Sequence, residues 1–122
     1  MSIQVFSELI GRTFDTVTGK VDDEEMVFRS AGGRAFRFYH PRDCCEYVRI
    51  EDICGDVADL TGSPIVEAEE VSNEDAPVVE NSESYTWTFY RFATAKGAVW
   101  VRWLGESNGY YSEGVEFEEV GA

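Results

Sequence analysis

Residues 84–104 read SYTWTFYRFATAKGAVWVRWL, and the alternation in this stretch decides the fold class. Tyr85, Trp87, Phe89 and Arg91 fall on one side of an extended chain and Thr86, Thr88, Tyr90 and Phe92 on the other, which is the period of a half-buried strand. Ala95-Lys96-Gly97 then forms a compact turn centred on Lys96-Gly97. Beyond it Val99, Val101 and Trp103 share one face while Trp100, Arg102 and Leu104 share the other. Two β-rich segments joined by so short a turn pair as an antiparallel hairpin.

Working outward, GESNGYYSEG (105–114) carries Asn108-Gly109, whose tolerance of positive φ suits a reversal. EGVEFEEV (113–120) follows with Val115 and Phe117 inward and Glu116 and Glu118 outward, so the C-terminal part reads as a three-stranded meander. Upstream, GRTFDTVTG (11–19), EEMVFRS (24–30), RAFRFYH (34–40), EYVRIEDI (46–53) and PIVEAEEV (64–71) read as further strands, with Gly32-Gly33 turning the second into the third. SELIG (7–11) and Asp56 to Leu60 suit single helical turns, the latter ended by Gly62-Ser63-Pro64. Residues 72–84 read as a long exposed loop. The expected fold is mainly β, an antiparallel sandwich or strongly curled sheet of seven or eight strands with one or two short helical turns.

At 122 residues and 13.7 kDa the chain suits one domain, 1–122, able to bury one core. A hydrophobic share of 43% with eight Phe, six Tyr and three Trp excludes a disordered polymer. No run of about 18 apolar residues occurs and the first residues lack the basic and apolar regions of a secretion signal, so a soluble, intracellular protein is expected. Three cysteines, two of them adjacent, make a poor disulfide framework, which favours reduced thiols.

Charge is the strongest compositional signal: 24 acids against 10 bases give −14. Such a surface repels phosphate backbones, so direct nucleic-acid binding is not expected, whereas a basic protein surface is attracted. Seven of the ten bases lie in residues 1–49, and from Ile50 to Tyr90 there are eleven acids and no base. The plainer alternative is that acidity keeps an aromatic-rich chain soluble.

Asp43–Asp56, DCCEYVRIEDICGD, gathers all three cysteines and five carboxylates. His40, Cys44, Cys45 and Cys54 are conceivable soft-metal ligands, but adjacent cysteines on a strand point to opposite faces and the C-x2-C spacing is missing, so packing thiols are the better reading. Asp43, Glu46, Glu51, Asp52 and Asp56 lack the spacing of a calcium loop. One histidine and no phosphate-binding glycine motif leave no catalytic residue to name, and no cofactor is implied. Binding is the stronger theme. An acidic surface would use Glu51, Asp52, Glu67, Glu69, Glu70, Glu74 and Asp75, and a hairpin tip would use Trp103, Glu106, Asn108, Tyr110 and Tyr111. Arg37, Tyr39, Tyr47 and Arg49 form the alternative, a pocket for a nucleotide or other small anion.

The runs YHPRDCCEYVRIEDICGD (39–56), GSPIVEAEEVS (62–72) and SYTWTFYRFATAKGAVWVRWLGESNGYYSEGVEF (84–117) resemble a family of small acidic proteins of unknown function from tailed bacteriophages and prophages, over about Arg12 to Val120. That family supplies no established catalytic or ligand residue to carry over. The resemblance implies an accessory protein in the cytoplasm of an infected bacterial host that binds a host protein with a basic surface. Very acidic examples look like anti-defence inhibitors that mimic nucleic acid, for instance against a CRISPR effector. No membrane partner is expected, and the protein would be a monomer or small homo-oligomer. A small enzyme using His40, Cys44 and nearby carboxylates ranks last.

Overall fold

The computed structural model describes residues 3–42, 44–71, 83–109 and 112–120, with side chains from Phe6 onward. In chain order the strands are β1 (Ile3–Val5), β2 (Thr16–Thr18), β3 (Glu25–Arg29), β4 (Ala35–Tyr39), β5 (Tyr47–Cys54), β6 (Glu67–Val71), β7 (Ser84–Thr94), β8 (Gly97–Ser107) and β9 (Glu116–Val120). Among the described residues they form two antiparallel sheets, β1-β6-β7-β8-β5 and β2-β3-β4-β9. The fold is mainly β, in two open sheets, as the alternation demanded.

The hairpin β7–β8 is the spine, paired without a break from Ser84↔Ser107 to Thr94↔Gly97. Its two-residue loop is Ala95-Lys96, one position earlier than expected. Neither residue takes positive φ; the Thr94 hydroxyl instead accepts from the Lys96 N–H at 3.2 Å. Tyr90, Phe92, Val99, Val101 and Trp103 all turn inward and are buried. From the other sheet come Met26, Phe28, Phe36 and Phe38, also buried. Their rings interlock across the gap: Phe38 lies 4.8 Å from Tyr90 and 5.3 Å from Phe92, and Phe28 lies 5.1 Å from Phe92, while within the same sheet Phe38 lies 4.9 Å from Phe117. Tilted and edge-on pairs of this kind add about 0.5–1.5 kcal/mol each to their burial.

β9 departs from the meander. It pairs with β4, from Ala35↔Val120 to Tyr39↔Glu116, and so belongs to the opposite sheet. The reason is that β8 has no free edge, being paired to β7 on one side and β5 on the other. After β8 the chain therefore passes to the other sheet instead of turning back on β8 as a hairpin. Phe117 stacks on Phe36 at 5.8 Å, and Arg34–Glu119 (2.7 Å) and Arg37–Glu118 (2.5 Å) tie the strand outside.

A second departure lies in β5, whose register shifts between Ile50 and Asp52. The bulge reverses parity: Val48 and Ile50 face the core before it, and Ile53 packs against the core after it. Glu51 and Asp52 consequently both reach Arg102. β2 is shorter than the 11–19 run, because Phe14 plunges into the core and Thr13 bridges Pro64. β1 was not anticipated; it adds to the edge of β6 through Ile3↔Val71 to Val5↔Glu69.

One 3-10 turn forms where it was expected, Val57–Leu60, its Ala58 N–H capped by Asp56; residues 7–11 form a non-helical turn, in which Leu9 N–H bonds Phe6 C=O and Leu9 is buried. The loop expected over 72–84 lies, for 72–82, outside the described residues; β7 begins at Ser84.

Candidate interaction surface

Alternation sends Tyr85, Trp87, Phe89 and Arg91 of β7 and Trp100, Arg102, Leu104 and Glu106 of β8 to the outside of the five-stranded sheet. Three arginines lie over rings there: Arg49 over Tyr47 at 4.6 Å, Arg91 over Trp100 at 5.3 Å and Arg102 over Trp87 at 5.1 Å. Each also holds a carboxylate. Arg49 pairs with Glu106 at 2.7 Å, Arg102 with Glu51 at 2.6 Å, and Arg91 with Glu67. Half-exposed pairs of this sort are worth about 0–1 kcal/mol each, so their main effect is to neutralise and order this face.

The predicted acidic face is therefore divided. Glu51 and Glu67 are internally paired, and Asp52 lies 3.9 Å from Arg102. Glu69 stands opposite Arg91 in the register, on the outside, whereas Glu70 stands opposite Tyr90 and so faces inward. Glu74 and Asp75 lie outside the described residues.

Where acids do accumulate is the β5 edge. The loop between β2 and β3 runs along it: Asp22 N–H donates to Ile50 C=O and Ile50 N–H to Asp23 C=O, both at 2.8 Å. Asp22 takes φ 77°, a left-handed geometry that an aspartate tolerates better than most residues. Lys20 N–H donates to the Asp23 carboxylate at 3.1 Å and closes the loop. These contacts set Asp22, Asp23 and Glu24 beside Glu51 and Asp52, five carboxylates against Arg102 and Lys20. The run DDEE (22–25) was the visible signal in the sequence; its proximity to β5 was not.

A separate buried junction lies between β4 and β5. The His40 and Glu46 side chains are 5% and 1% exposed and 2.8 Å apart, through Nε2 and Oε2. His40 Nδ1 lies 2.7 Å from Gly114 C=O, which can only accept, so Nδ1 carries a proton. One further proton sits between Nε2 and the carboxylate, and Cys44 N–H donates to the other Glu46 oxygen at 2.8 Å. His40 is thus a strut between the β5 entrance and the crossover to β9.

The cysteines correct the sequence reading. Cys44 and Cys45 are bonded to each other, not reduced, because they occupy a bend before β5 instead of a strand and their side chains leave on one side. All three cysteines are exposed rather than packed. Cys54 stands at the far end of β5, and both His40 nitrogens are engaged, so the four suspected metal ligands are not brought together.

The hairpin-tip residues separate too. Trp103 is wholly buried in the core, since its parity is that of Val99 and Val101, and it offers no contact to a partner. Glu106 is held by Arg49, Asn108 is exposed, and Tyr110 and Tyr111 lie outside the described residues. Glu113 organises this region instead: its carboxylate accepts from Thr86 at 2.8 Å and Ser107 at 2.5 Å. Burial alone would push this carboxyl up, but hydrogen bonds from Ser107, Ser84 and Thr86 outweigh it and hold it below its usual range. Backbone contact is equally close, for a Cβ on Gly105 would stand 2.2 Å from Glu113 C=O.

Arg37 and Tyr39 do not join Tyr47 and Arg49. The first pair projects from the four-stranded sheet, flanked by buried Phe36 and Phe38, and the second from the five-stranded sheet, flanked by buried Val48 and Ile50, so they occupy opposite outer faces. Arg37 lies 3.8 Å over Tyr39 and pairs with Glu25 and Glu118. A bound anion would have to displace carboxylates at either place.

A family model described as a domain of unknown function (DUF7448) matches residues 7–117. No curated protein and no solved structure matches the chain.

Proposed function

We propose that this chain, which belongs to the DUF7448 family of unknown function, acts by binding a basic surface of another protein. The observation that carries this reading is the β5 edge. There two backbone bonds from Asp22 and Asp23 to Ile50 hold the loop against the strand that carries Glu51 and Asp52, so the negative charge is pre-organised and little ordering entropy is lost on binding. The −14 net charge adds long-range steering toward a cationic partner. Arg37 and Arg49, the two arginines of the alternative anion pocket, already hold carboxylates, which supports the acidic reading over capture of a nucleotide there. In its finer form the proposal is an anti-defence protein of phage type. It would act in the cytoplasm of an infected bacterium by occupying the nucleic-acid groove of a host effector such as a CRISPR complex.

The test compares the wild type with a variant carrying Asp22→Asn, Asp23→Asn, Glu24→Gln, Glu51→Gln and Asp52→Asn in bacteria that hold such a system. The wild type should restore plaquing by a targeted phage and co-purify the effector at about 50 mM salt but not at about 500 mM. The variant should do neither while folding normally. Full protection of the phage by the variant would remove the β5 edge from the mechanism.

A further inference from the structure

Cys44 and Cys45, joined to each other in the bend before β5, are both exposed. A disulfide stabilises a fold mainly by closing a loop in the unfolded chain, and the closure entropy it removes grows with the number of residues enclosed. Between immediate neighbours there is almost no loop to close. Stapling of the whole domain therefore does not account for this bridge; what it fixes is the bend itself. The bend in turn carries a continuous line of hydrogen bonds. Arg42 Nε donates to Cys44 C=O at 3.1 Å, and Cys44 N–H donates to Glu46 Oε1 at 2.8 Å. The other Glu46 oxygen lies 2.8 Å from His40 Nε2, and His40 Nδ1 donates to Gly114 C=O at 2.7 Å. An exposed pair of sulfurs thus stands at one end of a line whose middle, His40 and Glu46, is buried and whose far end lies just before β9.

Exposed disulfides are the labile and regulatory ones, because exchange requires a thiolate to reach a sulfur. Adjacent cysteines also remain adjacent after opening, so reclosure is intramolecular and needs no rearrangement of the chain. We propose that Cys44–Cys45 is a reversible redox site, opened by a low-molecular-weight thiol, and that opening it loosens the His40–Glu46 strut. The thiolate attacks one cysteine sulfur, and the S–S bond breaks with its electron pair on the other. A second thiol then displaces the first cysteine from the mixed disulfide. One bridge and two thiols become two cysteine thiols and one external disulfide, with two electrons passing to the protein. Once the bend gains backbone freedom, Cys44 N–H no longer holds the Glu46 carboxylate in place, and His40 loses its fixed partner. Cys54 stands at the far end of β5 and takes no part. The site shares no residue with the acidic β5 edge and stands independently of it.

The test uses the full chain carrying Cys54→Ser, so that only Cys44 and Cys45 report. It is equilibrated in buffers of varied reduced-to-oxidised glutathione ratio, alkylated and weighed intact. The population should pass from no alkyl groups to two as the ratio rises, be fully open at about 10 mM reduced glutathione, and return when oxidised glutathione is restored. Amide exchange of the isotopically labelled chain then reads the strut. In the open form the Cys44 and Gly114 amides should exchange at least about fivefold faster, while those of Phe38 and Tyr90 in the core keep their rates. The variant Cys44→Ser/Cys45→Ser should show the open-form rates in every buffer. Two alkyl groups at every ratio, a bridge that persists in reduced glutathione, or opening that does not reverse would each overturn the proposal. So would equal exchange at Cys44 and Gly114 in the two forms, or acceleration of the whole chain alike, which would make the bridge a staple of the domain. None of these results bears on the five-residue neutralisation at β5, so the two ideas fail separately.

Discussion

Removing His40 should be among the most damaging single changes at a polar position of this molecule, and the cost follows from proton bookkeeping. His40 donates from Nδ1 to Gly114 C=O and shares one proton with Glu46 through Nε2, both contacts being shorter than 3 Å and nearly free of solvent. In His40→Ala the Glu46 side chain keeps the Cys44 N–H but loses its histidine partner, and Gly114 C=O loses a donor. Stripping one member from a buried pair costs about 3–5 kcal/mol, a large share of the 5–15 kcal/mol typical of a domain. Glu46→Gln behaves differently. The amide oxygen accepts from Cys44 N–H and the amide NH2 donates to a neutral His40, so both of these bonds are retained and about 1 kcal/mol or less is lost. In the Glu46→Gln background, His40→Ala leaves a neutral amide behind instead of a carboxylate, so the double variant should recover about 1–2 kcal/mol relative to the sum of the single changes. Urea denaturation followed by tryptophan fluorescence measures all four proteins. If His40→Ala costs less than about 1 kcal/mol, or if the two changes are additive, the buried-pair reasoning is refuted.

Three further outcomes are expected. Gly105→Ala would place a Cβ 2.2 Å from Glu113 C=O and should cost about 2–4 kcal/mol in the same denaturation assay, because backbone rather than a flexible side chain must move. Glu113→Gln tests the hydroxyl cage through pH. A carboxyl whose folded pKa is lowered from 4.5 stabilises above that value and loses its contribution as pH falls through the folded pKa. The wild type should therefore exceed the variant by about 1–2 kcal/mol at pH 7, with the gap closing in acid; a gap that widens in acid contradicts the cage. Phe38→Ala, at the meeting point of five rings, should lose about 3–5 kcal/mol, read as a fall in the thermal midpoint.

The period-two pattern of residues 84–104 made the central hairpin legible, because burial on one face leaves a direct trace in residue choice. The partner of β9 left no such trace. Its alternation says only that one side is buried, and the choice of β4 over β8 depends on which sheet edges other strands already occupy. The bulge at Glu51 was hidden for a related reason: one extra residue in EYVRIEDI changes the face of Ile53 and Cys54 without altering composition. Trp103 was misplaced at the surface by its proximity to a turn, although its parity with Val99 and Val101 already marked it as core. The candidate site was legible as charge and not as geometry. Asp22, Asp23 and Glu24 stand far from Glu51 in sequence and meet it only because a loop adds to the β5 edge. The His40–Glu46 pair, six residues apart, needed the bend at Cys44-Cys45 to close. Paired arginines conceal their neutralisation as well, since Arg49, Arg91 and Arg102 find carboxylates on neighbouring strands.

The most direct test of the binding account is a hydrogen-exchange footprint of the protein in complex with a basic protein that co-purifies with it, measured against the free chain. The account predicts new protection concentrated on the 20–24 loop and on β5 from Ile50 to Cys54, weakening as salt is raised. Protection confined to the outer face of β2, β3 and β4, or a footprint on β5 indifferent to salt, would contradict it.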